Sequence, residues 1–520
     1  MSVARRIAMS VARRTAMSVA KQTAMSGRKR TAMSERRPTL SLITAALLLG
    51  GGALTGCTLA PEYQAPDSPV PATVGDAATG VDAVMLPGWQ ALFPDPHLRQ
   101  LIATALDNNR DLRLALLDVA EARAQYRIEG AALLPSISAN AEGTRQRLPA
   151  DLSRTGDSTV QSQYGVNVGV ASYELDLFGR VRSLKQSALE SYLATEEARR
   201  SAHITLVSEV ANAYLTLMAD RESLRISRDT LAAQQESVDL VQGRFDLGLG
   251  SELDLRQAQA ALETARASQA RFQRRVDADR NALAVLVGAP LPPLPGENLD
   301  DPTVATLPDV PAGLSSSVLR LRPDILGAEH ALRAANANIG AARAAFFPRI
   351  SLTGSAGTAS AELSGLFESG SKAWSFSPSL SLPIFSGGRN RANLDVAEVR
   401  RDRNVARYEQ AIQTAFQEVA DALAARDSLR REEQAQSALV TATERSLTLA
   451  EARYREGADD YLAVLDARRN LLDARQQRVA VTLDKLTNRV TLYRALGGGE
   501  QARDATLIGE AAHRRDAPRG

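Results

Sequence analysis

No glycine or proline interrupts the chain from Arg389 to Glu456, and after Gly457 a second clean run extends from Ala458 to Leu496. As a helix the first run would be roughly 100 Å long at 1.5 Å per residue, several times the ~11–12 residues of an average helix. No compact globular core needs such a rod. Within it Ile412, Phe416, Val419 and Leu423 step by four, three and four, and Leu472, Val479, Leu483, Leu486, Val490 and Tyr493 keep a similar stripe on the return. That is the period of a coiled coil. Taken alone, the hairpin describes a helical stalk or scaffold.

Shifting the numbering by 209 lays a second copy over the first. The other hairpin runs Arg180 to Gln242, then Ser251 to Val287. Arg244 and Phe245 fall on Arg453 and Tyr454, Gly248 on Gly457, Leu253 on Leu462, and Leu283 and Leu286 on Leu492 and Ala495 without a gap. Leu231, Val238 and Phe245 recur every seven residues, and their counterparts Val440, Leu447 and Tyr454 are also apolar. An internal duplication of equal rods with a shared seam predicts side-by-side packing.

Charge excludes one class of partner. Of 520 residues, 62 are Lys or Arg and 60 Asp or Glu, for a net +2, but residues 1–56 carry ten of the bases and one of the acids. The remainder holds 52 bases and 59 acids, a net of −7, so nucleic-acid binding has no electrostatic support. Residues 1–32 repeat an eight-residue unit with methionines at 1, 9, 17, 25 and 33, which leaves the true start open among Met1, Met9, Met17, Met25 and Met33. Arg36 and Arg37, an apolar run from Leu40 to Leu54, and then Leu54-Thr55-Gly56-Cys57 have the layout of a secretory signal, the apolar run being too short for an ordinary membrane span. Leu-Thr-Gly-Cys resembles a bacterial lipobox, which implies cleavage before Cys57 and lipidation of that cysteine. Thr58 follows, so the aspartate that retains many such lipoproteins in the inner membrane is missing. Cys57 is the only cysteine, which excludes an intrachain disulfide.

Pro61 to Pro71 reads as an extended tether. Helical sequence begins near Pro94-Asp95-Pro96, and Asp111 and Asp324, offset by 213, each open a helix that ends before Pro135 or Pro348. Strand pairs follow, Pro135 to Leu148 with Val160 to Phe178, and Pro348 to Glu362 with Lys372 to Phe385. In the last, Phe376, Leu380, Leu382 and Ile384 alternate with Ser375, Ser377, Ser379 and Ser381, one greasy face and one hydroxylated. A soluble two-sided sheet produces that pattern, and so does an outer-membrane barrel; the leader favours the barrel. Four strands cannot close one, because single-chain barrels begin at ~8 strands and lipid tolerates no open edge. Three copies give about twelve strands and room for a passage, with two hairpins per chain forming a ring of helices below.

Arg322-Pro323-Asp324-Ile325, Ala328-Glu329, Ala334-Ala335, Ile339-Gly340, Phe347-Pro348-Arg349-Ile350-Ser351-Leu352, Tyr461-Leu462, Val464-Leu465-Asp466 and Leu496-Gly497-Gly498-Gly499 together resemble the outer membrane factor (TolC-like) family, in its OprM-like, NodT-type lipoprotein branch. The similarity covers 57–500. It implies an α+β membrane fold: a trimeric twelve-stranded transmembrane barrel, four strands per chain, continued by a long α-helical coiled-coil periplasmic tunnel. It also implies an exit duct for drugs, metals or other small solutes. Its partners would be two further copies of the chain, a periplasmic adaptor, an inner-membrane transporter of the RND type, and outer-membrane lipid. The expected organisation is an upstream repeat and signal peptide at 1–56, a lipid-anchored tether at 57–88, a first repeat at 89–288, a Pro-rich linker at 289–322, a second repeat at 323–500 and a tail at 501–520.

The resemblance also assigns sites. The hairpin turns, with Gly248, Leu249 and Gly250 in one and Gly457, Ala458 and Asp460 in the other, form the distal end and meet the adaptor. Leu462 and Asp466, one helical turn apart, match an apolar constriction and an acidic ring at the periplasmic aperture. Asp254 matches an aspartate that TolC-like ducts tie to a tip arginine and a tyrosine. Tyr454 matches the tyrosine, but Asp459 stands in place of the arginine, so closure should rely less on a salt bridge. No catalytic constellation is present: His97, His203, His330 and His513 are scattered without ligand spacing, and no cofactor fingerprint occurs. A type I secretion duct and a lipid-anchored adaptor or coiled-coil scaffold are the competing classes. Adaptors usually carry one hairpin, and the duplication favours the duct.

Overall fold

The computed structural model describes residues 58–71, 73–74, 88–154, 156–293 and 314–499, all within one compact unit, 57–520. The expectations on the leader, on Cys57, on most of the Pro-rich linker and on the tail 501–520 fall outside the described residues. In chain order the elements are β1 (Thr73–Val74), α1 (Trp89–Leu92), α2 (Pro96–Asn108), α3 (Arg110–Ala131), β2 (Ile137–Leu148), β3 (Thr159–Leu175), α4 (Arg180–Asp246) and α5 (Glu252–Val287). The second half has β4 (Leu314–Ser315), a 3-10 turn (Ser316–Leu321), α6 (Pro323–Ala344), β5 (Arg349–Ser360), β6 (Lys372–Ser381), α7 (Arg389–Arg455) and α8 (Tyr461–Ala495). Each half therefore contains a 22-residue helix, a strand pair and a helical hairpin.

The duplication is kept to the residue. Helices α4 and α7 both contain 67 residues, and both their ends are offset by 209. Gly248 and Gly457 stop them, with φ of 76° and 74°, a conformation that costs a glycine nothing and other residues roughly 1–2 kcal/mol. Ser251 restarts the first hairpin through a capping box with Asp254, and Asp460 restarts the second by accepting from the Ala463 N–H at 3.2 Å. At the far end α8 stops at a triple glycine: Gly497, Gly498 and Gly499 all have positive φ. The hairpins pack side by side as expected, although Phe245 of the seam read from the sequence stands exposed. Val479, Leu486, Val490 and Tyr493 of α8 are buried with Val210, Leu217 and Leu224 of α4, which locks the hairpins side by side at ~1.5–3 kcal/mol per buried side chain.

At the opposite end the strand order is β2-β3-β5-β6, all antiparallel. Register carries the alternation across the whole sheet. Val166 faces Ala141 and Thr358, Val168 faces Ala139 and Ala356, and Gly354 faces Phe376, so one face collects Val166, Val168, Val170, Ile350, Leu352, Trp374, Phe376 and Leu380. The other face collects Asn140, Glu142, Asn167 and the serines, with Ser351 bonded to Ser379 at 2.7 Å and Ser355 to Ser375 at 2.8 Å. A bulge between Val170 and Tyr173 restores the alternation after one extra residue. A Cβ on Gly169 would lie 2.5 Å from the Gly354 carbonyl, and one on Gly357 would collide with the Val166 carbonyl. Backbones therefore crowd on the polar side, which marks it as the concave face. Leu382 and Ile384, expected in this strand, lie beyond its end at Ser381; Pro383 between them has no N–H for a ladder.

The junction between sheet and helices is a knot of charge. Glu174 accepts twice from Arg180 at 2.8 Å and lies 3.3 Å from Arg349. Asp176 caps α4 by accepting from the Val181 and Arg182 N–H groups. Phe178 stacks on Phe347 at 4.8 Å.

The Pro-rich segment is extended as expected, but it is not a free tether. It lies along α6: Arg343 donates to the Leu59 carbonyl at 3.3 Å, Asn336 to that of Pro61 at 2.8 Å, and Tyr63 to Glu329 at 3.1 Å, while Arg333 covers the Tyr63 ring at 4.9 Å. Val70 then packs against the core around Ile325 and Tyr408, and β1 pairs with β4. Gly340 permits the contact, since a Cβ there would sit 2.6 Å from Ser183 Oγ and 2.8 Å from the Ala60 nitrogen.

Two predictions arise. Gly340→Val should lift the strap from α6, at roughly 1–3 kcal/mol for overpacking, and open residues 60–71 to proteolysis while the helical signal persists. Within the first hairpin Asp279 lies beside Asp220; burial first, and then the neighbouring charge, push Asp279 up to about 6, against the pull of Arg275. A carboxyl whose folded pKa is raised stabilises the fold at low pH and loses that contribution as pH rises through about 6. Thermal stability should fall between about pH 4 and about pH 6.5 by no more than about 1 kcal/mol after solvent screening. Asp279→Asn should flatten that slope, as read by melting at a series of pH values.

Candidate functional site at the hairpin tips

The two tips close over a shared apolar cluster. Val241 and Leu255 of the first hairpin are buried with Tyr461, Val464 and Leu465 of the second, and Val238, Leu447 and Tyr454 pack around them. The Tyr454 and Tyr461 rings are 5.4 Å apart, and the buried Tyr461 hydroxyl pairs with Ser237 Oγ at 2.7 Å. Tight turns are possible because Gly248 and Gly457 supply positive φ. Gly250 does not contribute in that way: its φ is ordinary, and a Cβ would meet its nearest neighbour, the Phe245 nitrogen, at 3.4 Å. Leu247, Leu249 and Leu253 stand exposed on the first tip.

Asp254 and Tyr454 lie near enough for the carboxylate to act on the phenol. Asp254 closes the capping box with Ser251, and its charge helps burial raise the Tyr454 phenol pKa. Among the described residues Asp254 has no arginine partner of its own, but another cation stands nearby. Arg244 of the first hairpin lies over the Tyr454 ring at 4.9 Å, so an arginine does bridge the hairpins, from a different position. Nor is Asp459 a free acid. It receives two bonds from Arg453, at 2.6 and 2.9 Å, and that guanidinium lowers its pKa. Arg244 and Arg453 are counterparts at the 209 offset, which was the available signal for both.

Leu462 and Asp466 share a face of α8 turned away from the packed Tyr461, Val464 and Leu465. Leu462 is 47% exposed, and Asp466 has Arg469 beside it at 3.7 Å. Sequence reading missed Arg469, and it missed Arg468. Arg468 is largely buried and ties three helices: it pairs with Glu451 of α7 at 2.9 Å and donates to the Ala233 carbonyl of α4 at 3.0 Å. Its counterpart at the offset is Gln259, so the repeat concealed it. Among the described residues no group of three or more His, Cys, Asp or Glu is placed to hold a metal, and no described helix is long and apolar enough to cross a membrane.

A strand quartet with one apolar face, continued by two matched helical hairpins, is a part of a barrel and a tunnel. The family model for outer membrane efflux proteins matches residues 101–289 and 314–498. The chain belongs to the outer membrane efflux protein family. It is 49% identical over 466 residues to the toluene efflux pump outer membrane protein TtgC of Pseudomonas putida, covering 88% of this chain and 95% of that one. It is 48% identical over 474 residues to the outer membrane protein OprJ of Pseudomonas aeruginosa, with 88% and 95% covered. Among solved structures, a membrane protein from Pseudomonas aeruginosa superposes with a TM-score of 0.80 at 48% identity, covering 85% of this chain and 98% of that one. The open state of the Neisseria gonorrhoeae MtrE outer membrane channel gives 0.77 at 43% identity, with 85% and 98% covered.

As an outer membrane efflux protein, the chain has the trimeric fold expected from its sequence, four strands per chain toward a twelve-stranded transmembrane barrel and a long helical tunnel below it. The family is one of efflux channels, and the tips described above are the end of the tunnel farthest from the barrel.

Arg468→Ala should leave Glu451 without its buried counterion and cost about 1.5–3 kcal/mol. The checkable consequence is faster amide exchange across residues 447–470, with the sheet unaffected.

Proposed function

We propose that this efflux protein is the exit duct of a tripartite pump, a passive conduit that takes small organic solutes from an inner-membrane transporter through a periplasmic adaptor and releases them outside the cell. What carries the reading is the continuity of one chain from a sheet with a concave polar face to two hairpins of equal length, because only a conduit needs both. Relatives named for pumping toluene, solvents and antibiotics support organic solutes as the cargo; the transporter would be of the RND type. The exposed leucines at 247, 249 and 253 suit docking of an adaptor, together with the turn residues Gly248, Leu249, Gly250, Gly457, Ala458 and Asp460.

Closure of the aperture would be set by a ring of Leu462 side chains and the acidic ring of Asp466 behind it, with Asp254, Tyr454 and Asp459 holding the tips. Three facing copies of Asp466 would favour cations over anions and bind multivalent ions, softened by Arg469. The strap supports lipidation of Cys57. Thr58, one peptide bond away, begins a segment bound to the sheet end of α6, where an acyl chain would anchor the body to the inner leaflet of the outer membrane.

Deleting the gene should raise susceptibility to solvents and antibiotics, and wild-type chain should restore resistance. Gly250→Trp, which the turn itself tolerates, should assemble and yet fail to restore it. In planar bilayers Asp466→Ala should increase basal conductance or weaken block by multivalent cations. Unchanged susceptibility on deletion would refute the efflux reading, and a mutant equal to wild type in both electrical respects would remove Asp466 from the aperture.

A further inference from the structure

The apolar face of the sheet does not end in apolar residues. β2 and β3 keep one unbroken register from Ile137 opposite Val170 to Leu148 opposite Thr159, so Arg145 and Arg147 stand on the same face as Ala139, Ala141, Val166 and Val168, the face turned to lipid. Two glycines confirm the parity: a Cβ on Gly143 would meet the Tyr164 ring at 3.2 Å, whereas one on Gly165 would meet Glu142 of the concave face at 3.5 Å. β6 repeats the order at the other edge, where Leu380, Phe376 and Trp374 lead to Lys372, its first residue. Each edge of the sheet thus runs from apolar through aromatic to cationic, toward the end remote from the helices, and all three cations are exposed.

Height decides what these cations meet. From Ile350 to Ser360, which pairs with Tyr164, β5 covers about 34 Å along the strand and about 26 Å of height at a tilt near 40°. That is the height of an outer-membrane apolar band. Arg145 lies about 7 Å and Arg147 about 13 Å farther along β2 than Gly143, past the aromatic girdle and among the headgroups. The passage does not account for them, because the concave face at this end carries Thr144, Gln146, Gln161, Gln163 and Ala373, all uncharged. No Asp or Glu stands on the lipid-turned face of β2, β3, β5 or β6. Among the described residues the three cations form no ion pair, and Arg147 donates to the Ser158 hydroxyl at 3.3 Å. The acids of this end, Asp151, Asp157, Glu362 and Glu368, belong to the loops beyond the strands.

We propose that this rim binds the phosphate groups of lipid A, the phosphorylated lipid of the outer leaflet, through Arg145 and Arg147 of one copy and Lys372 of the next. The strand order leaves β2 and β6 as the two edges of the sheet. Closing it around three chains sets β6 of one copy beside β2 of another, and gathers cations from two chains at each junction. A headgroup with two phosphates suits a site divided in this way. The guanidinium forks offer paired donors to phosphate oxygens, and the ammonium adds a compact charge. Acyl chains below the headgroup would then lie along Trp374, Phe376 and the valines of β3, which continue the same face downward. The site rests on the shared barrel and its place in the outer membrane, and is independent of what the duct carries.

Native mass spectrometry of the detergent-extracted trimer, titrated with bisphosphoryl lipid A, reads the site directly. Wild type should retain the lipid, and retention should weaken with added salt. Neutralising any one of the cations should lower the affinity about fivefold, and Arg145→Gln, Arg147→Gln and Lys372→Gln together about a hundredfold. Arg256→Gln, at the far end of the hairpins, should leave it unchanged, and Arg145→Lys with Arg147→Lys should keep most of it. If the triple variant does not assemble, the single variants decide. Variants that retain lipid A as wild type does would overturn the site. So would equal affinity of wild type for phosphatidylglycerol, which would reduce it to a general attraction for anionic lipid, or displacement of lipid A by inorganic phosphate, which would make it a site for the free ion. No step of the measurement involves transport, so its failure leaves the efflux reading standing, and the failure of that reading leaves the site.

Discussion

Lipid offers no hydrogen bonds, and that single fact sets the terms for this molecule. A backbone N–H or C=O facing hydrocarbon without a partner costs several kcal/mol, so a sheet with an apolar face must close on itself. Here β3 and β5 join the two halves, but β2 and β6 each keep one side of their ladder open. The chain cannot satisfy them alone. Assembly is therefore a condition of placing the sheet in a membrane, and a polar, concave inner face is the necessary consequence of the alternation that makes the outer face apolar.

The helices inherit their geometry from the same requirement. A ring of strands repeated from chain to chain needs a ring of helices with the same repeat, and duplication supplies it: two 67-residue rods, each entering from a strand and each stopped by a glycine at φ near 75°. Glu174, Arg180, Arg349 and Asp176 manage the conversion from strand to rod by satisfying the first N–H groups of α4 and neutralising the charge gathered there. Farther down, Arg468 and the paired tyrosines join the hairpins through single side chains, which rearrange more readily than backbone ladders do. That difference places rigidity at the membrane and adjustability at the tips.

Much of this was legible because it is periodic. Rod length, the 209-residue offset and the two faces of the sheet depend on regular spacing, and Ile412, Val419, Val479 and Val490 are buried where the stripe puts them. What depends on one long-range contact was not legible. The Pro-rich segment carries no period, and its attachment depends on the missing side chain of Gly340, nearly 280 residues away. Arg244 over Tyr454 and Arg453 on Asp459 look in sequence like ordinary solvated charges, so neither contact could be read before the hairpins were seen side by side. Alternation ran past the end of β6 for a similar reason: it records which side a residue would face, and says nothing of whether a partner strand is still there.

The central claim is that no single chain can close the sheet. Native mass measurement of the detergent-extracted protein, paired with circular dichroism of the same sample, tests it most directly. Three chains per particle with an intact β signal is the predicted result. A stable monomer that keeps its β signal would contradict the account, since its edges would then be satisfied without a second copy.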